Sequence, residues 1–372
     1  MKERNIAIVT TNLYKYSETF IHAHYRLPRA NIHILYAGYL PQNYRHLRTQ
    51  GSLWPGASLF QKLGFAKKQN EQALVEGIAT YLLQNRIEAV LCEYGPSGVE
   101  MMSICSKLKL PLFVHFHGYD AYRQDVLNSY GTKYPELFET AAGIVVVSEH
   151  MKTQLEKLGC KSRRVKLLPY GINTGFFKPG RIKCADFTFV ACGRFVDKKA
   201  PHITIGAFAT AKQKRPDLKL LMIGDGELLD ACKALVAELN IVESVTFLGP
   251  LEPGRVAEIM GSAHVFVQHS VNTATGDSEG TPLAILEAGA CGLPAIATRH
   301  GGIPDVISDG INGFLIEQGD EAAMAKKMLE LATNAALAEK MGREARRRIE
   351  SGYTEQKYLE AIRALIETGL NG

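Results

Sequence analysis

The stretch Phe187-Thr188-Phe189-Val190-Ala191-Cys192-Gly193-Arg194-Phe195-Val196-Asp197-Lys198-Lys199-Ala200-Pro201 reads as a strand, a loop and the start of a helix. Its first six residues are mostly aromatic, β-branched or small and apolar, as a buried strand requires. Gly193 opens the loop. Pro201 suits a first helical position, where its missing N–H loses no bond, and a helical pattern runs on to Lys214. A strand followed directly by a helix returns the chain to a parallel neighbour rather than to a hairpin partner.

The same unit recurs along the chain. Strand-like runs in the first half are Ile6–Thr10, His33–Tyr36, Ala89–Glu93, Leu112–Phe116, Ile144–Ser148 and Val165–Leu168. In the second half they are Phe187–Cys192, Lys219–Ile223, Val245–Leu248, Val265–Gln268, Ala295–Thr298 and Gly313–Ile316, with helical segments such as Leu228–Leu239 and Pro282–Ala290 between them. Two such series predict an α/β protein of two doubly wound domains. The break falls in the Gly- and Pro-rich stretch Pro169–Gly180, giving an expected first domain of residues 1–172 and a second of 173–354. The last helical segment, within 355–372, is expected to pack back on the first domain. Ligands of open α/β sheets lie beyond the carboxyl ends of the strands, so two facing sheets enclose a cleft.

Composition narrows the class. The 372 residues are 46% hydrophobic and 22% charged, as in a soluble globular protein. No run reaches the roughly 18 apolar residues of a membrane span. Met1–Val9 leads straight into a strand-like segment without a signal-peptide pattern, so export is not expected. The seven cysteines (92, 105, 160, 184, 192, 232 and 291) form no C-x-x-C pair, which fits a reduced, cytoplasmic setting and argues against zinc. Residues 1–170 hold 21 Lys and Arg against 13 Asp and Glu, while the remainder holds 22 against 25. The basic first half predicts an anionic neighbour there.

In Ser278-Glu279-Gly280-Thr281-Pro282-Leu283-Ala284-Ile285-Leu286-Glu287, two carboxylates flank a helix start. Pro282 reads as its first residue and Thr281 as its cap. Free N–H groups at such a start suit a phosphate, and the flanking acids can accept hydroxyls at the two ends of a nucleotide-sugar. Arg194 and Lys199 can face the same sheet edge and hold phosphate oxygens. Ile223-Gly224-Asp225-Gly226-Glu227 is a second strand-to-helix turn that lets a ligand approach the backbone. In the first half, His115-Phe116-His117-Gly118-Tyr119-Asp120 follows a strand. His115 and His117 point the same way there, with no further metal ligand evident beside them. Ser17 reads as a helix cap in Tyr16–Ile21. Trp54, Leu59, Phe60, Leu63 and Phe65 alternate with Lys62, Lys67 and Lys68, a pattern that can lie on an anionic lipid surface. No nucleic-acid-binding motif is present.

Together these motifs resemble the retaining glycosyltransferases of family 4, over nearly the whole chain. The E-x7-E pattern is Glu279 to Glu287, and the G-R-x-V-x-x-K element is Gly193 to Lys199, with Ala200 where the family usually has glycine. Cys291-Gly292-Leu293-Pro294 and His300–Ile307 complete the C-terminal signature. Ser17–Ile21, His115–Asp120 and Gly276–Gly280 are similar to bacterial exopolysaccharide transferases of the colanic-acid type. The resemblance implies the GT-B fold, two Rossmann-like domains facing across a cleft. It implies a cytoplasmic enzyme with a UDP- or GDP-sugar donor and a saccharide acceptor, either free or linked to a lipid diphosphate; the basic first half suits the lipid-linked acceptor and peripheral contact with the inner face of the cytoplasmic membrane. Arg194 and Lys199 would bind the diphosphate, Glu287 the ribose and Glu279 the sugar. His117 would face the reacting carbon. Gly193, Gly224, Gly226, Gly249, Gly280, Thr281 and Pro282 would line the donor site. Ser17, Glu18, Thr19, His117, Tyr119 and Asp120 would meet the acceptor. No metal or other cofactor is expected. The alternatives are a nucleotide-sugar epimerase on the same fold and a non-catalytic nucleotide-sugar binder.

Overall fold

The structure, a computed structural model, describes residues 3–13, 18–47, 71–161 and 163–370. The first sheet contains β1 (Arg4–Val9), β2 (Ala30–Tyr36), β3 (Asn43–Leu47), β4 (Ala89–Glu93), β5 (Leu112–His115), β6 (Gly143–Val146) and β7 (Val165–Leu167). Their order is β3-β2-β1-β4-β5-β6-β7, parallel except for β3 against β2. The second sheet contains β8 (Thr188–Cys192), β9 (Lys219–Ile223), β10 (Val245–Gly249), β11 (Val265–Gln268), β12 (Ala295–Thr298) and β13 (Gly313–Ile316). Its order is β10-β9-β8-β11-β12-β13, and every pair is parallel. Both sheets reverse their winding beside their first strand, so each has a crevice at the carboxyl edge there. Two parallel-sheet α/β domains are thus present.

Helices cover both faces of the sheets, which explains the uninterrupted apolar runs. Every residue of β4, β5, β6, β11 and β12 is buried. β3 is the strand the apolar pattern did not reveal. Asn43-Tyr44-Arg45-His46-Leu47 is largely exposed and is held by pairing with β2, so it carries no buried face to read. β2 starts earlier than its apolar run, at Ala30, and β5 stops at His115.

After β7 the chain passes to the second sheet, and later it returns. At the crossing Ile172 donates to the Tyr353 carbonyl (2.8 Å), and Glu355 donates to the Ile172 carbonyl (3.0 Å). The helix Glu355–Leu370 then lies on the first sheet. Arg363 donates to the Pro28 carbonyl at 2.7 Å, and Gly369 sits so close to Phe113 that a Cβ would come within 2.5 Å of its ring.

Candidate active site

The residues expected to meet the donor are gathered at the carboxyl ends of β8, β9 and β10. Gly193 donates to the Ile223 carbonyl and Gly224 to the Gly249 carbonyl, each at 2.9 Å, so the three strand ends lie side by side. Gly224 has φ +130°, and a Cβ there would stand 2.0 Å from the Gly193 carbonyl oxygen. Only glycine fits that approach. Gly226, at φ +154°, is similarly tight against Phe195. Gly193, Arg194, Lys199, Thr204, Met222 and Gln268 are among the residues lining a pocket at this edge.

One turn of 3-10 helix, Asp197–Lys199, carries the two lysines towards the loop before the helix Leu283–Ala290. Lys199 Nζ lies 2.9 Å from Glu279 Oε1, and Lys198 Nζ lies 3.0 Å from Asp277 Oδ1. Burial pushes the Glu279 carboxyl up, but Lys199 and then Lys198 outweigh it and hold it at about 2. Burial also raises Glu287, and Lys199 opposes it too weakly, leaving that carboxyl at about 7. Arg194 is exposed at the same edge and makes no side-chain hydrogen bond or ion pair among the described residues.

The helix start differs from the sequence expectation. Pro282 is the residue before the helix, in extended conformation, and Thr281 does not cap it. The Thr281 hydroxyl instead donates to the Val147 carbonyl of the first domain at 3.0 Å. A proline with ψ near 120° turns the chain away from the helix axis and leaves the hydroxyl pointing across the cleft.

The first domain meets this loop closely. A Cβ on Gly118 would lie 2.6 Å from the Ser278 carbonyl oxygen and 3.0 Å from the Gly280 nitrogen. Gln124 donates to the Thr275 carbonyl at 3.1 Å, and the Glu149 N–H donates to Asp305 Oδ2 at 2.9 Å. The loop 275–281 is thereby seated against the segment His117–Gln124.

His117 is buried with both ring nitrogens directed inward. Nδ1 lies 2.5 Å from the Tyr170 hydroxyl and Nε2 lies 3.0 Å from Glu93 Oε2. Both ring nitrogens are thus engaged within the first domain. Asp120, an expected acceptor contact, is fully buried; its two oxygens accept the N–H groups of Gly95 (2.6 Å) and His117 (2.7 Å). Burial raises it to about 6 even so. It shapes the loop from within instead. Glu18 is buried at the start of the helix Thr19–His24 and Tyr119 is partly exposed beneath the Arg123 guanidinium, 4.9 Å from its ring centre. Ser17, and the aromatic and lysine stretch Trp54–Lys68, lie outside the described residues.

Sequence reading found no partner for His115 and His117; the fold supplies Glu93 and His24. Candidate ligand atoms of His24, Glu93 and His115 lie within 4.8 Å of one another, a spacing that could hold a metal ion. The available signal was Glu93 itself, a carboxylate closing an otherwise apolar strand.

Two Rossmann-like domains thus meet at a cleft with paired cations and acids at one sheet edge. The family model for glycosyl transferases group 1 matches residues 175–348, and that for glycosyltransferase family 4 matches residues 60–176. The chain is a glycosyltransferase built of a family 4 domain followed by a group 1 domain. It is 26% identical over 289 residues (76% of this chain and 71% of the relative) to the putative colanic acid biosynthesis glycosyltransferase WcaL of Escherichia coli K12. It is 26% identical to the amylovoran biosynthesis glycosyltransferase AmsK of Erwinia amylovora, over 68% of this chain and 62% of that one. Among solved structures, Anabaena Alr3699/HepE in complex with UDP and glucose superposes with a TM-score of 0.77 at 15% identity, covering 98% and 100% of the two chains. A glycosyltransferase from Rickettsia africae gives the same TM-score at 17% identity over 100% and 99%. These structures share the GT-B fold. No helix among the described residues is long and apolar enough to cross a membrane.

Proposed function

We propose that the enzyme transfers a sugar from a UDP- or GDP-sugar to a saccharide acceptor carried on a lipid diphosphate, with retention at the anomeric carbon, in the assembly of a cell-surface polysaccharide. The observation that carries this reading is the cation and acid set at the carboxyl edge of the second sheet. Arg194 is unpaired there, and Lys199 lies 2.9 Å from an ionised Glu279, eight residues before Glu287. The names of WcaL and AmsK support the polysaccharide role.

In the reaction the bond between the anomeric carbon and the diphosphate oxygen breaks, and the acceptor oxygen bonds to that carbon on the same face. The departing phosphate takes the acceptor's hydroxyl proton. Arg194, Lys199 and the N–H groups before Leu283 stabilise the growing negative charge without reorganising. These cations supply the charge that a divalent metal would supply, and Asp277, already bound to Lys198, is not assigned a metal. Glu279 holds sugar hydroxyls and Glu287 the ribose. His117 is assigned to the wall of the site, not to proton transfer. The basic first domain is assigned to the acceptor and to peripheral contact with the anionic inner leaflet.

Arg194→Ala and Lys199→Ala should each lower kcat by about 10²–10³-fold, the exposed Arg194 being replaced with the melting temperature retained. Wild-type turnover in either variant would remove this site from the reaction. Donor conversion without any acceptor would instead identify an epimerase. A panel of UDP- and GDP-sugars read by thermal shift finds the donor, since a ligand that binds only the native state must raise its melting temperature.

A further inference from the structure

Beneath the cleft, one buried carboxylate gathers three histidines. Glu93 Oε1 lies 2.5 Å from His24 Nδ1, while Oε2 lies 3.0 Å from His117 Nε2 and 3.4 Å from His115 Nδ1. The side chains of Glu93, His24 and His115 are wholly enclosed. The outer nitrogens of two of these rings meet tyrosine hydroxyls. His24 Nε2 is 2.6 Å from Tyr358, and His117 Nδ1 is 2.5 Å from Tyr170.

The hydrogen-bond directions follow from which groups can donate. Both oxygens of Glu93 face imidazole nitrogens, and a carboxylate oxygen there accepts. Each nitrogen facing it must therefore carry the hydrogen. The Tyr358 and Tyr170 hydroxyls meet the remaining nitrogens of His24 and His117, so each of these two rings is held between the carboxylate and a phenol. His115 Nε2 is the one ring nitrogen of the three without a partner among the described residues. One carboxylate thus sets the tautomer of all three rings.

The two tyrosines stand where the chain crosses between the domains. Tyr170 lies two residues before Ile172 and Tyr358 four after Thr354, the pair whose bridge joins the crossings. The other end of the network is the backbone of His117 and Gly118, packed against Ser278 and Gly280. We propose that Glu93 is a positioning residue for transfer: by fixing the rings of His24, His115 and His117 it fastens the first-domain wall of the cleft, through Tyr170 and Tyr358, to the two interdomain crossings. This inference rests on the transferase reading above.

Glu93→Gln tests it in the full-length protein, because an amide presents hydrogens where the carboxylate accepted them. The expected result is that His117, seen in ring ¹⁵N shifts as the Nε2–H tautomer in the wild type, shifts to a mixture or to the Nδ1–H form. Nucleotide release from whichever of UDP-glucose, UDP-N-acetylglucosamine or GDP-mannose the wild type uses should fall about tenfold or more in kcat. The donor KM should stay within about twofold, and thermal stabilisation by UDP or GDP should be unchanged. Tyr358→Phe, which removes only a hydroxyl, should lower kcat in the same direction and covers the case in which Glu93→Gln does not fold. An unchanged His117 tautomer in Glu93→Gln overturns the proposal, as does wild-type kcat in both variants. One tightly bound metal ion per chain, lost in His24→Ala, also overturns it. Wild-type turnover in Arg194→Ala would instead sink the transferase reading, so the two failures are distinguishable.

Discussion

Glu279 and Glu287 carry the same group, and burial pushes both carboxyls upward; their distance from the lysines separates them. Lys199 and Lys198 hold Glu279 at about 2, whereas Glu287 stays at about 7. Ribose hydroxyls donate best to a carboxylate, so donor binding selects ionised Glu287. Donor affinity should therefore rise with pH up to about 7 and level off above it, and Glu287→Gln should abolish that slope in calorimetric titrations. The sign for stability is opposite at Glu279. Its folded value lies below the unfolded one of about 4.5, so its contribution is present above that pH and is lost as pH falls towards 2. Lys199→Ala should lower stability at neutral pH and shrink the loss between pH 4.5 and 2, as followed by circular dichroism.

At the scale of elements, backbone geometry explains residue choices that propensity does not. Ala200 occupies a left-handed conformation, φ +35° and ψ 53°, between the 3-10 turn and the helix Pro201–Lys214. That explains the glycine usual at this point of the family pattern. A left-handed alanine costs about 1–2 kcal/mol, and glycine returns part of the gain as chain entropy. Ala200→Gly should thus raise the melting temperature by about 1–3 °C, measured by calorimetry. Gly118 answers to a neighbouring element instead of to its own φ. Gly118→Ala drives a Cβ to 2.6 Å from the Ser278 carbonyl oxygen. The expected outcome is a seam held apart, with kcat down by about tenfold or more and the melting temperature nearly unchanged, since little core is disturbed.

For the whole molecule, the end of the chain completes the beginning. The helix Glu355–Leu370 is docked on the first sheet, with Ile362 and Ile366 buried and Arg363 reaching the carbonyls of Pro28 and Arg29. Removing a charged donor from these partly buried carbonyls costs about 1.5–3 kcal/mol. Arg363→Ala should lower the melting temperature by several degrees, while turnover well below that temperature stays at the wild-type value. A large loss of turnover at 20 °C would mean that the helix also sets the cleft.

The sequence by itself determined the two parallel-sheet domains and placed the glycines and cations of Gly193–Lys199 and Ile223–Glu227 at strand ends. Buried parallel strands are written as continuous apolar runs, and phosphate-facing loops need glycine and cations at fixed distances from a strand end, so both are local patterns. It did not disclose β3, whose residues face solvent, nor the turn at Pro282 that points Thr281 towards Val147. Nor did it disclose the inward aim of His117 or the burial of Asp120. Those were decided by tertiary structure alone, because Glu93, His24, Tyr170 and Tyr358 are separated by up to 334 residues along the chain and meet only when the last helix closes over the first sheet. Hydrogen-bond direction at such a point depends on which groups share a dry enclosure, and no spacing along the chain records that.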